Sequence, residues 1–184
     1  YLWGRKHKLF GWRSKTKNYS LTLGATIHML DLICWLLKSR PLSVFSKSSD
    51  KMTKNSKFKK FSFATYIFTF PKNIIVKLSA DSVCIHPHYH ALKIFEKNQT
   101  FISDLKRQLR ITKKGIKEFS VKKMKYNYFD KKSKKNQIRS FVDSLIDKNP
   151  FAQSSKSLID LMTACFFADL SLKRKKELKI NYLK

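Results

Sequence analysis

The sequence predicts an α+β fold: a mostly antiparallel open sheet flanked on one face by helices. Three observations predict it. An apolar, helix-length stretch covers residues 19–37 (YSLTLGATIHMLDLICWLL). A series of alternating segments with turn residues between them follows, over residues 41–128. Apolar residues at helical spacing then fill the last third, and a short strand-like end closes the chain. Such an order of elements gives helices packed against an antiparallel sheet.

Residues 1–18 are basic and aromatic, with Trp3, Phe10 and Trp12 among Arg5, Lys6, Lys8 and Arg13. They read as a connecting loop from a preceding domain, and residues 19–184 as the α+β domain. Arg13 is the candidate here for an anionic substrate, because a guanidinium matches carboxylate and phosphate oxygens.

The helix over 19–37 has two ionisable residues, His28 and Asp31, three apart and so on one face. The spacing fits a satisfied His–Asp pair in a core, and it fits equally a histidine exchanging protons at a cleft. A membrane span does not fit: Gly24, His28 and Asp31 interrupt the run, and the sequence Lys38-Ser39-Arg40-Pro41 is a helix stop.

Residues 41–49 have strand character, and 50–60 form a polar loop. In 61–70, Phe61, Phe63, Thr65, Ile67 and Thr69 share one face, while Ser62, Ala64, Tyr66, Phe68 and Phe70 share the other. Pro71-Lys72-Asn73 turns the chain into a second strand over 73–83, which makes a hairpin. In an extended chain Cys84, His86, His88 and His90 would point to one side. Adjacent ligands on one strand rarely wrap a tetrahedral ion, and Pro87 breaks the ladder, so no metal site is expected. His88 is instead a candidate for a polar rim contacting substrate or a partner subunit.

Residues 90–101 read as strand, turn at Lys97-Asn98, strand. Further strands fit 108–112 and 117–128, with Gly115 in the turn between them. Residues 127–135 read as loop. Ile138, Phe141, Val142 and Leu145 then mark a helix that Asn149-Pro150 ends. Ser154 or Ser155 can cap another, striped by Leu158, Leu161, Met162, Cys165, Ala168 and Leu172. Residues 177–182 form a last strand.

The net charge is +28, but only 7 of the 40 basic residues are Arg, and the lysines are spread along the chain. Base readout and bidentate phosphate contacts favour Arg, so nucleic acid is an unlikely partner. Cys34, Cys84 and Cys165 lack metal-like spacing and read as reduced thiols of a cytoplasmic protein. The four glycines form neither G-x-G-x-x-G nor a P-loop, so no cofactor site is encoded in this stretch.

The pattern G-A-x-x-H-x-x-D-x-x-x-W-L-L, from Gly24 through His28 and Asp31 to Leu37, resembles the Gfo/Idh/MocA oxidoreductases, relatives of glucose–fructose oxidoreductase and inositol dehydrogenase. The segment HALKIFEKNQTF resembles their paired strands. The resemblance covers nearly the whole chain as the family's second, substrate and oligomerisation domain. It implies His28 as the acid/base residue; Arg13, Tyr19, Asp31 and His88 are the substrate-binding candidates beside it, Asp31 alternatively orienting the helix or His28. It implies NAD or NADP held mainly by a preceding Rossmann domain that also supplies an E-K-P lysine. It further implies a sugar or nucleotide-sugar type substrate and a homo-oligomer formed through the sheet face. Gly24 stands where many members carry Asp.

Overall fold

The computed structural model describes residues 1–3, 6–58, 60–115, 118–125, 132–146 and 154–183. They form two compact units, residues 1–90 with 156–184, and residues 91–155. The architecture is α+β, with two four-stranded antiparallel sheets where the sequence suggested a single open one.

The first unit holds β1 (Ser43–Ser49), β2 (Phe63–Phe70), β3 (Ile74–Asp81) and β8 (Leu178–Lys179), in the order β3-β2-β1-β8. The β2–β3 hairpin turns through Pro71–Asn73, where Lys72 and Asn73 adopt positive φ. Register places Phe45 opposite Ile67, and Ile67 opposite Lys77. The predicted alternation in β2 is present. Ala64, Tyr66, Phe68 and Phe70 are buried, and Phe63 and Ile67 are exposed. A side-chain period of two lets one face take all of the burial.

Helices cover the buried face. The stretch predicted to be helical from residue 19 starts later: a π-turn spans Thr22–Thr26 and continues into α2 (Ile27–Leu37). Lys38 ends it with φ of 47°. Met29, Leu30 and Ile33 are its buried residues. The long helix α4 (Ser155–Arg174) buries Leu161, Ala164, Cys165, Ala168 and Ser171. Polar contacts tie these helices to the sheet. The Ser46 amide donates to Ser171 Oγ at 2.9 Å. Thr22 Oγ1 and Tyr66 Oη share a 2.8 Å hydrogen bond, and Thr22 also donates to Asp169 Oδ1. Buried hydroxyls need such partners, because an unmet one costs about 1–3 kcal/mol.

The first residues are built into this unit. The Trp3 amide donates to the Asp81 carbonyl, and the Leu2 amide to the Tyr89 carbonyl, both at 2.9 Å. Trp3 and Leu9 form a small core with Phe58, a residue of the stretch read as polar loop. Trp12–Lys15 makes a single helical turn, α1.

The second unit is an antiparallel meander: β4 (Leu92–Phe95), β5 (Gln99–Ser103), β6 (Gln108–Lys113) and β7 (Phe119–Lys123). Helix α3 (Lys132–Ile146) begins within the segment read as loop. Asn149-Pro150 lies outside the described residues. Among the described residues no helix is long and apolar enough to cross a membrane.

Candidate functional site

His28 is the second residue of α2, one residue after the π-turn, and its side chain is exposed. Its ring stacks on Tyr1 at 6.2 Å between centroids and 24° between planes. The same Tyr1 ring stacks on His90 at 4.7 Å and meets His88 edge-on at 5.4 Å. His88 and His90 are 5.2 Å apart, also edge-on. Three imidazoles therefore surround one phenol ring. Burial, with His88 beside it, pushes the His90 pKa down to about 4. Its Nε2 is buried and makes no hydrogen bond.

Asp31 does not complete a core pair. Among the described residues no hydrogen bond or ion pair joins it to His28, which faces solvent. Asp31 instead sits near Cys34, whose thiol is pushed up to about 12 by burial first and by the charges of Asp31 and Asp160 next. His28 thus presents an exposed imidazole rather than one buried against Asp31.

Arg13 and Tyr19 meet each other, forming a separate cluster. The Arg13 guanidinium lies 4.4 Å from the Trp12 ring centre, 5.4 Å from Trp3 and 5.8 Å from Tyr19. Contacts of this kind hold a cation through the ring quadrupole. Burial raises the Tyr19 pKa, against an opposing pull from Arg13. Tyr19 also fills the space above Gly24: a Cβ built there would lie 1.9 Å from the Tyr19 hydroxyl oxygen. The space beside Gly24 is thus taken by the phenol of a residue five positions earlier.

The expected row of Cys84, His86, His88 and His90 on one side is not formed. The chain bends here, because the Asp81 carboxylate accepts from the amides of Val83 and Cys84, at 2.9 Å each. His86 Nδ1 lies 2.7 Å from the Pro87 carbonyl. Only His88 and His90 converge. Among the described residues no group of three or more His, Cys, Asp or Glu side chains is placed to hold a metal ion. Sequence reasoning missed Tyr1 and His90. The shared parity of His88 and His90 was a visible signal; nothing in the sequence pointed to Tyr1.

The chain's fold is that of Gfo/Idh/MocA-type oxidoreductases. It matches myo-inositol 2-dehydrogenase from Lactobacillus plantarum with a TM-score of 0.75 and 14% identity, over 98% of this chain and 55% of that one. It matches scyllo-inositol dehydrogenase from Lactobacillus casei, a structure with bound NAD(H) and scyllo-inositol, with a TM-score of 0.67 and 13% identity, over 97% and 53%. It matches UDP-N-acetylglucosamine 3-dehydrogenase from Acidithiobacillus ferrooxidans with a TM-score of 0.67 and 17% identity, over 80% and 47%. The chain spans about half the length of the solved structures it matches. No family model and no curated protein matches the sequence.

Proposed function

We propose that this chain is the C-terminal, substrate and oligomerisation part of a cytoplasmic NAD(P)-dependent oxidoreductase acting on a sugar or nucleotide-sugar type substrate, with His28 as its acid/base residue. The observation that carries the reading is the placement of His28. It is an exposed imidazole in the first turn of α2, behind a π-turn, in a fold shared with dehydrogenases of inositols and of a nucleotide sugar. π-turns inside helices are frequent at functional sites.

A nicotinamide cofactor would be held mainly outside this stretch. The sequence has no glycine-rich phosphate turn, so a preceding domain would hold it and would set the choice of NAD or NADP. His28 would take a proton from a substrate hydroxyl, or return one, while stacking on Tyr1 limits its orientations. His88, edge-on to the same phenol, would hydrogen-bond a second hydroxyl. Arg13, Tyr19 and Asp31 are further candidates to contact substrate; the first two already meet each other, and the charge of Asp31 reaches the Cys34 thiol. The homo-oligomer would form on the open sheet face, where Phe45, Phe63, Ile67 and Ile75 are exposed.

The coding sequence upstream of Tyr1 tests this reading. It should encode a strand, a G-x-G-x-x-G turn and a helix, then an E-K-P segment. A start codon close to Tyr1 would remove the cofactor site and the catalytic reading with it. The net charge of +28 favours a second reading, a basic module for polyanions. Its mark would be folded-state binding to RNA or DNA that survives about 0.2 M salt, where screening removes most diffuse attraction.

A further inference from the structure

A cleft of about 660 Å³ opens in the first unit, within the size range of small-molecule sites. Leu21 and Leu23 line it from the start of the helix, Phe61 from the approach to β2, and Phe166, Leu170 and Leu172 from α4. Phe61 and Phe166 remain 39% and 56% exposed, so apolar surface faces water on a strongly charged chain.

Three lysines line the same cleft: Lys17, Lys60 and Lys173. Lys60 is not a freely solvated one. Its ammonium donates to the carbonyls of Thr16 and Lys17 and lies 5.9 Å from the Tyr19 ring centre. An ammonium has three N–H groups, so one is left for a ligand. Among the described residues no carboxylate pairs with Lys60. Partial loss of water around the ammonium lowers its pKa. Two carboxylates also line the cleft. Asp169 accepts from Thr22, and burial raises its pKa; Asp50 adds the other.

We propose that this cleft binds a small amphiphile, a flat apolar body bearing one anionic group, with the body between Phe61 and Phe166 and the anion on Lys60. The apolar walls select the body, and the pre-placed ammonium selects the charge. The cleft does not include His28, although Tyr19, a candidate of the oxidoreductase reading, is one of its lining residues.

Naphthaleneacetate titrated into the isotope-labelled chain tests it, followed by backbone amide shifts. The amides of residues 18–23, 60–61 and 166–173 should move on one saturable curve. Naphthalenemethanol and naphthylmethylammonium should bind at least about tenfold more weakly, the factor expected when a charge-assisted hydrogen bond is lost. Lys60→Gln should weaken the acetate by about the same factor. Phe166→Asp, at an exposed position, should abolish binding while the fold persists. Lys47→Gln, on the open sheet face, should change nothing. Equal affinity for the cationic analogue, unchanged affinity in Lys60→Gln, or shifts scattered over the surface without saturation would each overturn the proposal.

Discussion

Gly24→Ala is the sharpest test of how the start of the His28 helix is packed. Alanine is the better helix former by up to about 1 kcal/mol, and Gly24 is not in the left-handed region, so backbone alone predicts stabilisation. Space predicts the opposite. The new Cβ would lie 1.9 Å from Tyr19 Oη, 2.4 Å from Cζ and 2.9 Å from Cε2. Ordinary contacts between carbons are about 3.5–4.0 Å, so the whole ring must retreat by roughly 1 Å or more. It has little room, because it packs edge-on against Trp12 and Phe58 at 5.9 and 6.0 Å. Overpacking of this kind costs about 1–3 kcal/mol. Net of the helix gain, we expect a loss of about 1–2 kcal/mol, a fall in Tm of roughly 2–8 °C for a chain of this size. Thermal and urea unfolding would measure it. A double-mutant cycle isolates the cause: in a Tyr19→Leu background the same substitution should become neutral or stabilising. An equal cost in both backgrounds, or a Gly24→Ala chain more stable than the parent, would refute the packing argument.

Four further outcomes are expected. Tyr66→Phe removes a fully buried hydroxyl from the Thr22 and Asp169 network and should cost about 1–2 kcal/mol by urea unfolding. Phe68→Ala, at a position with no exposure, should cost about 3–5 kcal/mol. The pKa of His90, read by NMR, should lie at about 4. The unfolded chain binds that proton near pH 6.5, so stability is complete above that value and falls as pH drops from there towards 4, by about 1–2 kcal/mol allowing for partial exposure. The His90→Gln variant should lack that slope. Ile67→Asp on the open sheet face should shift sedimentation towards monomer without lowering Tm appreciably; unchanged sedimentation would move the oligomer contact elsewhere.

Much of the first unit could be read from the sequence because its elements repeat a single physical pattern. Strict alternation in β2 placed Tyr66 and Phe68 on one face and Phe63 and Ile67 on the other. Asn73 tolerates the positive φ it adopts in the hairpin turn. The stripe through Leu161, Cys165 and Ala168 marked the buried side of α4. What escaped depends on contacts distant in sequence. The π-turn at Thr22–Thr26 has no compositional mark. Phe58 sits among lysines and serines, yet it is buried by Trp3 and Leu9. Tyr1 becomes the hub of the histidines only because Leu2 bridges to Asp81 and Tyr89. For the site, the H-x-x-D spacing drew attention to His28 but does not separate a core pair from a solvent-facing base; the structure adds that the imidazole is exposed.

We propose that His28 exchanges the substrate proton. The most direct measurement is nicotinamide reduction by the full-length protein, parent against His28→Ala, with inositols and nucleotide sugars as substrates. We expect kcat to fall by about 10²–10⁴, the usual worth of a general acid/base. Because His28 is exposed, Tm should stay within about 2 °C of the parent, as for most surface substitutions. Turnover that survives intact in the folded variant would contradict the claim.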